Sequence, residues 1–272
     1  MPDPKKFPLI IAHRGASAHA PENTFAAFQM AIDGGVGGIE FDVRLARDGV
    51  AVVFHDETLK RTGRRHEKIY ELTSAELAET DIGSWFNAAS PKRARPDFAG
   101  ETVKTLAETL DFFADFKGRI YIELKCTAAD ARELTAAVCS LICDSPLLPQ
   151  VIVKSFTLAV IPHVQNFCPK ARTAALFGPK IRTVFRKQKY IVDLAVQLGA
   201  DELSLHYSLA TRRLTKLAAR QNLPVTIWTA DNPKWLNRAV KRGIFAIITN
   251  DPGHIAKARM QVRADRSTIT SP

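Results

Sequence analysis

Short apolar runs alternate with amphipathic stretches along almost the whole chain. The strand-like runs are PLIIAH (8–13), GIEFDV (38–43), VAVVFH (50–55), RIYIEL (119–124), VIVKSF (151–156), ARTAALF (171–177), DELSLH (201–206), VTIWTA (225–230) and IFAIIT (244–249). Helical periodicity fits between them at 23–33, 105–116, 128–143, 187–199, 211–221 and 233–242. Asn23 and Thr105 are cap residues at two starts, and Gly34, Gly199 and Gly243 mark three ends. Runs such as VTIW and IFAIIT are nearly continuous in apolar character, which suits strands covered on both faces. The alternation predicts a parallel α/β domain.

Nine strand candidates exceed by one what an eight-stranded barrel needs. The surplus is removed at ARDGV (46–50), where Asp48-Gly49 signals a hairpin and the gap is too short for a parallel crossover of about a dozen residues. The run 50–55 is therefore expected to fold back antiparallel on 38–45, with the turn setting His55 opposite Asp42. Eight parallel strands remain, and the predicted fold is a (β/α)8 TIM barrel. Residues 57–104 lack a clean strand and read as a small insertion after the second barrel strand, with a capping box at Thr73 and Glu76. With no repeat or linker visible, residues 1–272 are read as a single domain.

Composition changes this picture little: 46% hydrophobic and 24% charged residues are ordinary for a globular chain of 272 residues. No apolar run approaches the ~20 residues of a membrane span. The start of the chain lacks the apolar core of a signal peptide, so a cytoplasmic protein is expected. Cys126, Cys139, Cys143 and Cys168 form no CxxC pair and no zinc set, and are expected to be buried free thiols. The net charge of +10 gathers in the runs 60–68, 91–95, 179–189 and 211–216. Such a surface is solvated or attracts anions, including peripheral contact with an anionic membrane. No nucleic-acid module or basic stacking platform is present in the sequence, so nucleic acid is not an expected partner.

Candidate chemistry concentrates at predicted strand ends. His13 and Arg14 close the first strand; Arg offers a fixed fork to phosphate, and His exchanges protons near neutral pH. Glu40 and Asp42 are two apart in a strand and so share a face, where paired carboxylates among apolar neighbours call for a cation. Glu123 repeats the pattern in YIELK, as a third metal carboxylate or as an ion-pair partner of Lys125. Oxygen-only ligation favours a hard divalent cation, Mg2+ or Ca2+. His55 ends VAVVFHD, and together with His13 it supplies a general acid and base beside the metal.

HRG at 13–15, PENT at 21–24, the E-F-D of 40–42, H-D at 55–56 and E-L-K at 123–125 resemble, in order and spacing, the glycerophosphodiester phosphodiesterase family. The resemblance runs from Leu9 to Pro252. It implies a barrel hydrolase that releases glycerol 3-phosphate and an alcohol from glycerophosphodiesters, small-molecule substrates, with a divalent metal. Carried over by position, His13 and His55 are the catalytic pair, Glu40, Asp42 and Glu123 the metal ligands, and Arg14 and Lys125 the phosphate clamps. Glu22 and Asn23 brace the site and start the first helix. Trp228 resembles the family's aromatic wall for the glycerol end, the alternative being a barrel-packing Trp. The sequence departs from the family at Ala46, at Val103-Lys104 and at Asn250, where Thr, Ile-Pro and Asp are common. The other histidines, His206 included, are read as structural or exposed. Two rival functions remain: a lysophospholipase D-like activity on lysophospholipids, and a non-catalytic barrel that binds phosphorylated ligands.

Overall fold

The computed structural model describes residues 7–179 and 188–269. Its strands are β1 (Leu9–His13), β2 (Gly38–Leu45), β3 (Ala51–Val53), β4 (Arg119–Leu124), β5 (Val151–Ser155), β6 (Arg172–Phe177), β7 (Glu202–His206), β8 (Val225–Trp228) and β9 (Ala246–Thr249). All neighbours are parallel except β3, and β1 pairs with both β9 and β2, so eight strands close a TIM barrel. The α-helices are α1 (Phe25–Asp33), α2 (Ser74–Ala78), α3 (Ser84–Ala89), α4 (Leu106–Phe112), α5 (Ala131–Ile142), α6 (Val160–Phe167), α7 (Gln188–Gln197), α8 (Arg212–Arg220), α9 (Lys234–Arg242) and α10 (Pro252–Ile269). Among the described residues, no helix is long and apolar enough to cross a membrane. Most of the basic run 179–189, and the expected helix start at Lys187, lie outside the described residues.

Outward side chains of the strands pack against the helices. Ile39, Phe41 and Val43 of β2 meet Phe28 of α1 and Phe113 just after α4 in the main apolar cluster. Each fully buried Phe contributes roughly 1.5–3 kcal/mol by leaving water. The barrel interior is filled by Ile11, Tyr121, Ile152, Ala174, Ala246 and Ile248. Among them Tyr121 donates to the buried Glu202, and toward the C-terminal strand ends the inward positions become His13, Glu40, Asp42, Glu123 and Lys154.

Three expectations need correction. The β2–β3 hairpin forms, but Val43 pairs with Val53 and Leu45 with Ala51. Phe54 N donates to Asp42 O, so Phe54 takes the place expected of His55. The cause is the turn. Ala46 N donates to Val50 O and Gly49 N to Ala46 O, with Gly49 at φ +78°, which closes a three-residue loop and not a two-residue one. Next, Asn23 does not cap α1: Thr24 does, accepting from Ala27 N, while Asn23 adopts φ +59° and turns to the site. Finally, Cys143 and Cys168 are not free thiols. The end of α5 and the residue after α6 bring them into a disulfide with Cα atoms 5.6 Å apart; Cys126 and Cys139 are free.

The stretch 57–104 packs on the hairpin. Leu59, Ile69, Leu77 and Ile82 bury against Val52 and Phe54. Thr73 and Glu76 form the expected capping box at α2. The insertion is thus a fixed wall beside the barrel mouth.

Candidate active site

Register sets the first layer of the site. Asp42 of β2 lies beside Glu123 of β4, which lies beside Lys154 of β5, and His13 of β1 lies beside Glu40. These positions fall at the C-terminal ends of the strands, where TIM barrels carry their chemistry. Glu40 and Asp42 are fully buried and Glu123 nearly so. One oxygen from each of the three carboxylates lies within 4.8 Å of the other two. Glu40 Oε1 and Asp42 Oδ1 make no hydrogen bond. Lys154 Nζ and Lys125 Nζ approach them at 2.9 and 3.1 Å as ion-pair partners. Buried oxygens with unspent lone pairs, grouped at this spacing, fit a hard divalent cation.

Arg14 is placed by an unusual turn. Its φ is +55°, its N donates to Glu40 O, and Gly15 follows at φ +80°. A Cβ on Gly15 would come within 2.6 Å of the Ala27 backbone, so only glycine fits. The turn aims the guanidinium at Asp42 Oδ2 (2.9 Å) and Glu22 Oε1 (2.8 Å). Asn23 Nδ2 donates to the same Asp42 oxygen at 3.0 Å, so Glu22 and Asn23 brace the site as the sequence suggested. Lys125 bridges Asp42 and Glu123 and lies 5.9 Å from the Phe156 ring. Burial opposes the charge on Arg14 and Lys125, yet the carboxylates around each raise its pKa above the ordinary value.

The two histidines have different supports. His13 Nδ1 is 2.7 Å from Asn250 Oδ1. The Asn250 amide is oriented because its Nδ2 donates to Asp231 and its Oδ1 accepts from Ser17. Asn250 Oδ1 is therefore an acceptor, and His13 Nδ1 carries the hydrogen. The other ring nitrogen, Nε2, lies 3.9 Å from Glu40 Oε2. His55 Nδ1 instead lies 2.5 Å from Asp56 Oδ1, with Arg61 held on the other Asp56 oxygen at 2.6 Å. His55 has Asp56 as a close carboxylate partner, whereas His13 has the Asn250 amide on Nδ1 and Glu40 at longer range on Nε2. Asp42 feels the field of both rings. Trp228 stands in the mouth, half-buried, edge-on to Phe156 and His206.

The profile described as the glycerophosphoryl diester phosphodiesterase family matches residues 13–254. The chain belongs to this family. It is 30% identical over 244 residues to a glycerophosphodiester phosphodiesterase of Caldanaerobacter subterraneus subsp. tengcongensis, covering 90% of this chain and 94% of that one. A glycerophosphodiester phosphodiesterase of Bacillus subtilis is 29% identical, with 92% and 86% covered. Among solved structures, an Oleispira antarctica phosphodiesterase in complex with the product sn-glycerol-3-phosphate superposes with a TM-score of 0.82 at 25% identity, covering 93% and 97%. Members of the family are phosphoric diester hydrolases.

Within this family member, all the residues expected from the sequence except Trp228 bear on the carboxylate cluster, and Trp228 borders the mouth above it. Lys154 was missed. A lone lysine in the apolar run VIVKSF signals a buried carboxylate partner, and its register beside Glu123 supplies one. Asn250 went unassigned because its partner His13 meets it only once the barrel closes, and Asp56, beside His55 in sequence, was not given a role of its own. His206, read as structural, stands against Trp228, and burial lowers its pKa.

Burial alone would raise the pKa of Glu22, Asp42 and Asp56. The surrounding Arg61, Arg14, Lys125 and His55 outweigh it, and each ionises below its ordinary value. A carboxylate with a depressed folded-state pKa stabilises the fold above its unfolded pKa, and that contribution is lost as pH falls toward the folded value. The thermal midpoint followed by circular dichroism is expected to hold above about pH 5 and to drop steeply below about pH 4. A midpoint that stays level through that window contradicts these pairings.

Proposed function

We propose that the protein hydrolyses glycerophosphodiesters to glycerol 3-phosphate and an alcohol, with Glu40, Asp42 and Glu123 holding Mg2+ or Ca2+. The observation that carries this reading is the buried carboxylate cluster bordered by His13, His55, Arg14 and Lys125 at the barrel mouth. A divalent ion there would polarise the phosphoryl group and offset developing charge. Arg14 and Lys125 hold the phosphate oxygens. His13, its Nδ1 hydrogen held by Asn250, turns Nε2 to the attacking water, or to a neighbouring substrate hydroxyl whose cyclic phosphate water then opens, and takes its proton. His55, backed by Asp56, gives its proton to the leaving oxygen. Trp228 walls the glycerol end.

A cavity of about 600 Å³ opens beside Lys125, walled by Glu57, Tyr70, Asp130, Glu133 and Phe156. We assign it to the leaving alcohol, so that the insertion, through Glu57 and Tyr70, influences which diester is cleaved. An acyl chain has less support: in 57–104 Tyr70 is the one large apolar side chain left exposed. The test is glycerol 3-phosphate release from glycerophosphocholine against release of choline from lysophosphatidylcholine. The first substrate is expected to be favoured. Preference for the second would establish the lysophospholipase D reading, and inactivity on both would leave a binding barrel.

A further inference from the structure

Lys154 is 2% exposed and sits within the carboxylate cluster, away from the mouth. Its Nζ lies 2.9 Å from Glu40 Oε1 and 3.3 Å from Glu123 Oε2. Asp42 is held by Arg14 and Lys125, each with about 15% of its side chain exposed and thus able to meet a ligand from the mouth. The three buried carboxylates therefore face three buried or half-buried cations before any metal is counted. Arg14 and Lys125 can turn their charge to a phosphate. Lys154 has no such outlet, and its charge stays among two of the three metal carboxylates.

We propose that Lys154 is a built-in counter-ion of the metal site. It keeps Glu40 and Glu123 oriented when no divalent ion is bound, and it weakens divalent binding by like-charge repulsion, so that the ion exchanges readily. The inference rests on the metal reading of Glu40, Asp42 and Glu123. It follows from the cost of burying unpaired carboxylates and from the strength of charge repulsion at short range inside a protein. Lys154 acts through the carboxylates and is a positioning residue, not a catalytic one.

Calorimetric titration of metal-stripped full-length protein with CaCl2 and MgCl2 tests this, in wild type and in Lys154→Met, which keeps most of the volume without the charge. Lys154→Met is expected to bind the ion at least ~10-fold more tightly, the direction short-range repulsion dictates. Its metal-free thermal midpoint is expected to fall below that of wild type and to recover more on adding the ion. Lys154→Gln is expected to move the same way. A folded variant with unchanged or weaker affinity overturns the role of Lys154. If Lys154→Met folds only with Ca2+ present and unfolds on chelation, the counter-ion role is upheld. If it stays unfolded at saturating Ca2+, the ion cannot replace Lys154 and the proposal fails. Wild type that binds neither ion overturns the metal reading itself, an outcome distinct from equal affinities in wild type and variant.

Discussion

His55→Ala is expected to lower turnover of glycerophosphocholine by ~10²-fold or more while leaving the fold intact. The side chain is 30% exposed, and among the described residues its hydrogen bond is to Asp56. His13→Ala is expected to cost a similar factor, and the two losses separate by leaving group. A general acid matters less when the departing alkoxide is already stable, so a nitrophenyl diester should restore much of the activity of His55→Ala. The same substrate should leave His13→Ala impaired, because a base acts on the nucleophile. Steady-state kinetics on both substrates measure this. Full activity in either variant removes that histidine from the mechanism, and the reverse rescue pattern exchanges their roles.

Asp42→Ala is expected to cost both activity and stability. The carboxylate is fully buried and meets Arg14, Lys125 and Asn23 at 2.9, 3.1 and 3.0 Å. Its removal leaves two cations among Glu40, Glu123 and Glu22 with fewer partners, and a broken buried ion pair costs about 3–5 kcal/mol. Guanidinium denaturation should show a loss of unfolding free energy of that order, and turnover should fall to background because both the ion site and the Arg14 clamp are lost. Asp42→Asn keeps the shape and the Asn23 bond. It should lose activity equally while losing less stability. A stable, active Asp42→Ala would refute the shared role of this residue.

Much of the fold was legible because strand and helix leave different periods in the sequence. All nine strand runs are strands, and the Asp48-Gly49 turn correctly separated β3 from the barrel. Its register was misread by one residue because the loop length depends on where Gly49 takes its positive φ, which the sequence permits but does not fix. Helix α6 was overlooked because Pro162 interrupts VIPHVQNF. Proline is tolerated there in the first turn, whose N–H groups lack helical partners anyway. Helix α10 likewise opens on Pro252. The Cys143–Cys168 pair links residues 25 apart through the contact of α5 with α6, which no local pattern reports.

The candidate site was legible where its residues sit in one motif and obscure where they meet across the barrel. Glu40 and Asp42 are two apart, and their shared face follows from the strand itself. Lys154 joins them only through the register of β2, β4 and β5. Asn250 reaches His13 across the closure of β9 on β1.

The most direct test of a metal-dependent diesterase is the activity of metal-stripped protein on glycerophosphocholine as Mg2+ or Ca2+ is returned. Glycerol 3-phosphate release is expected to start at background and rise with the ion, along the same curve as ion binding measured by calorimetry. Glu123→Gln should show neither. Full turnover in protein shown by elemental analysis to hold no divalent metal would contradict it.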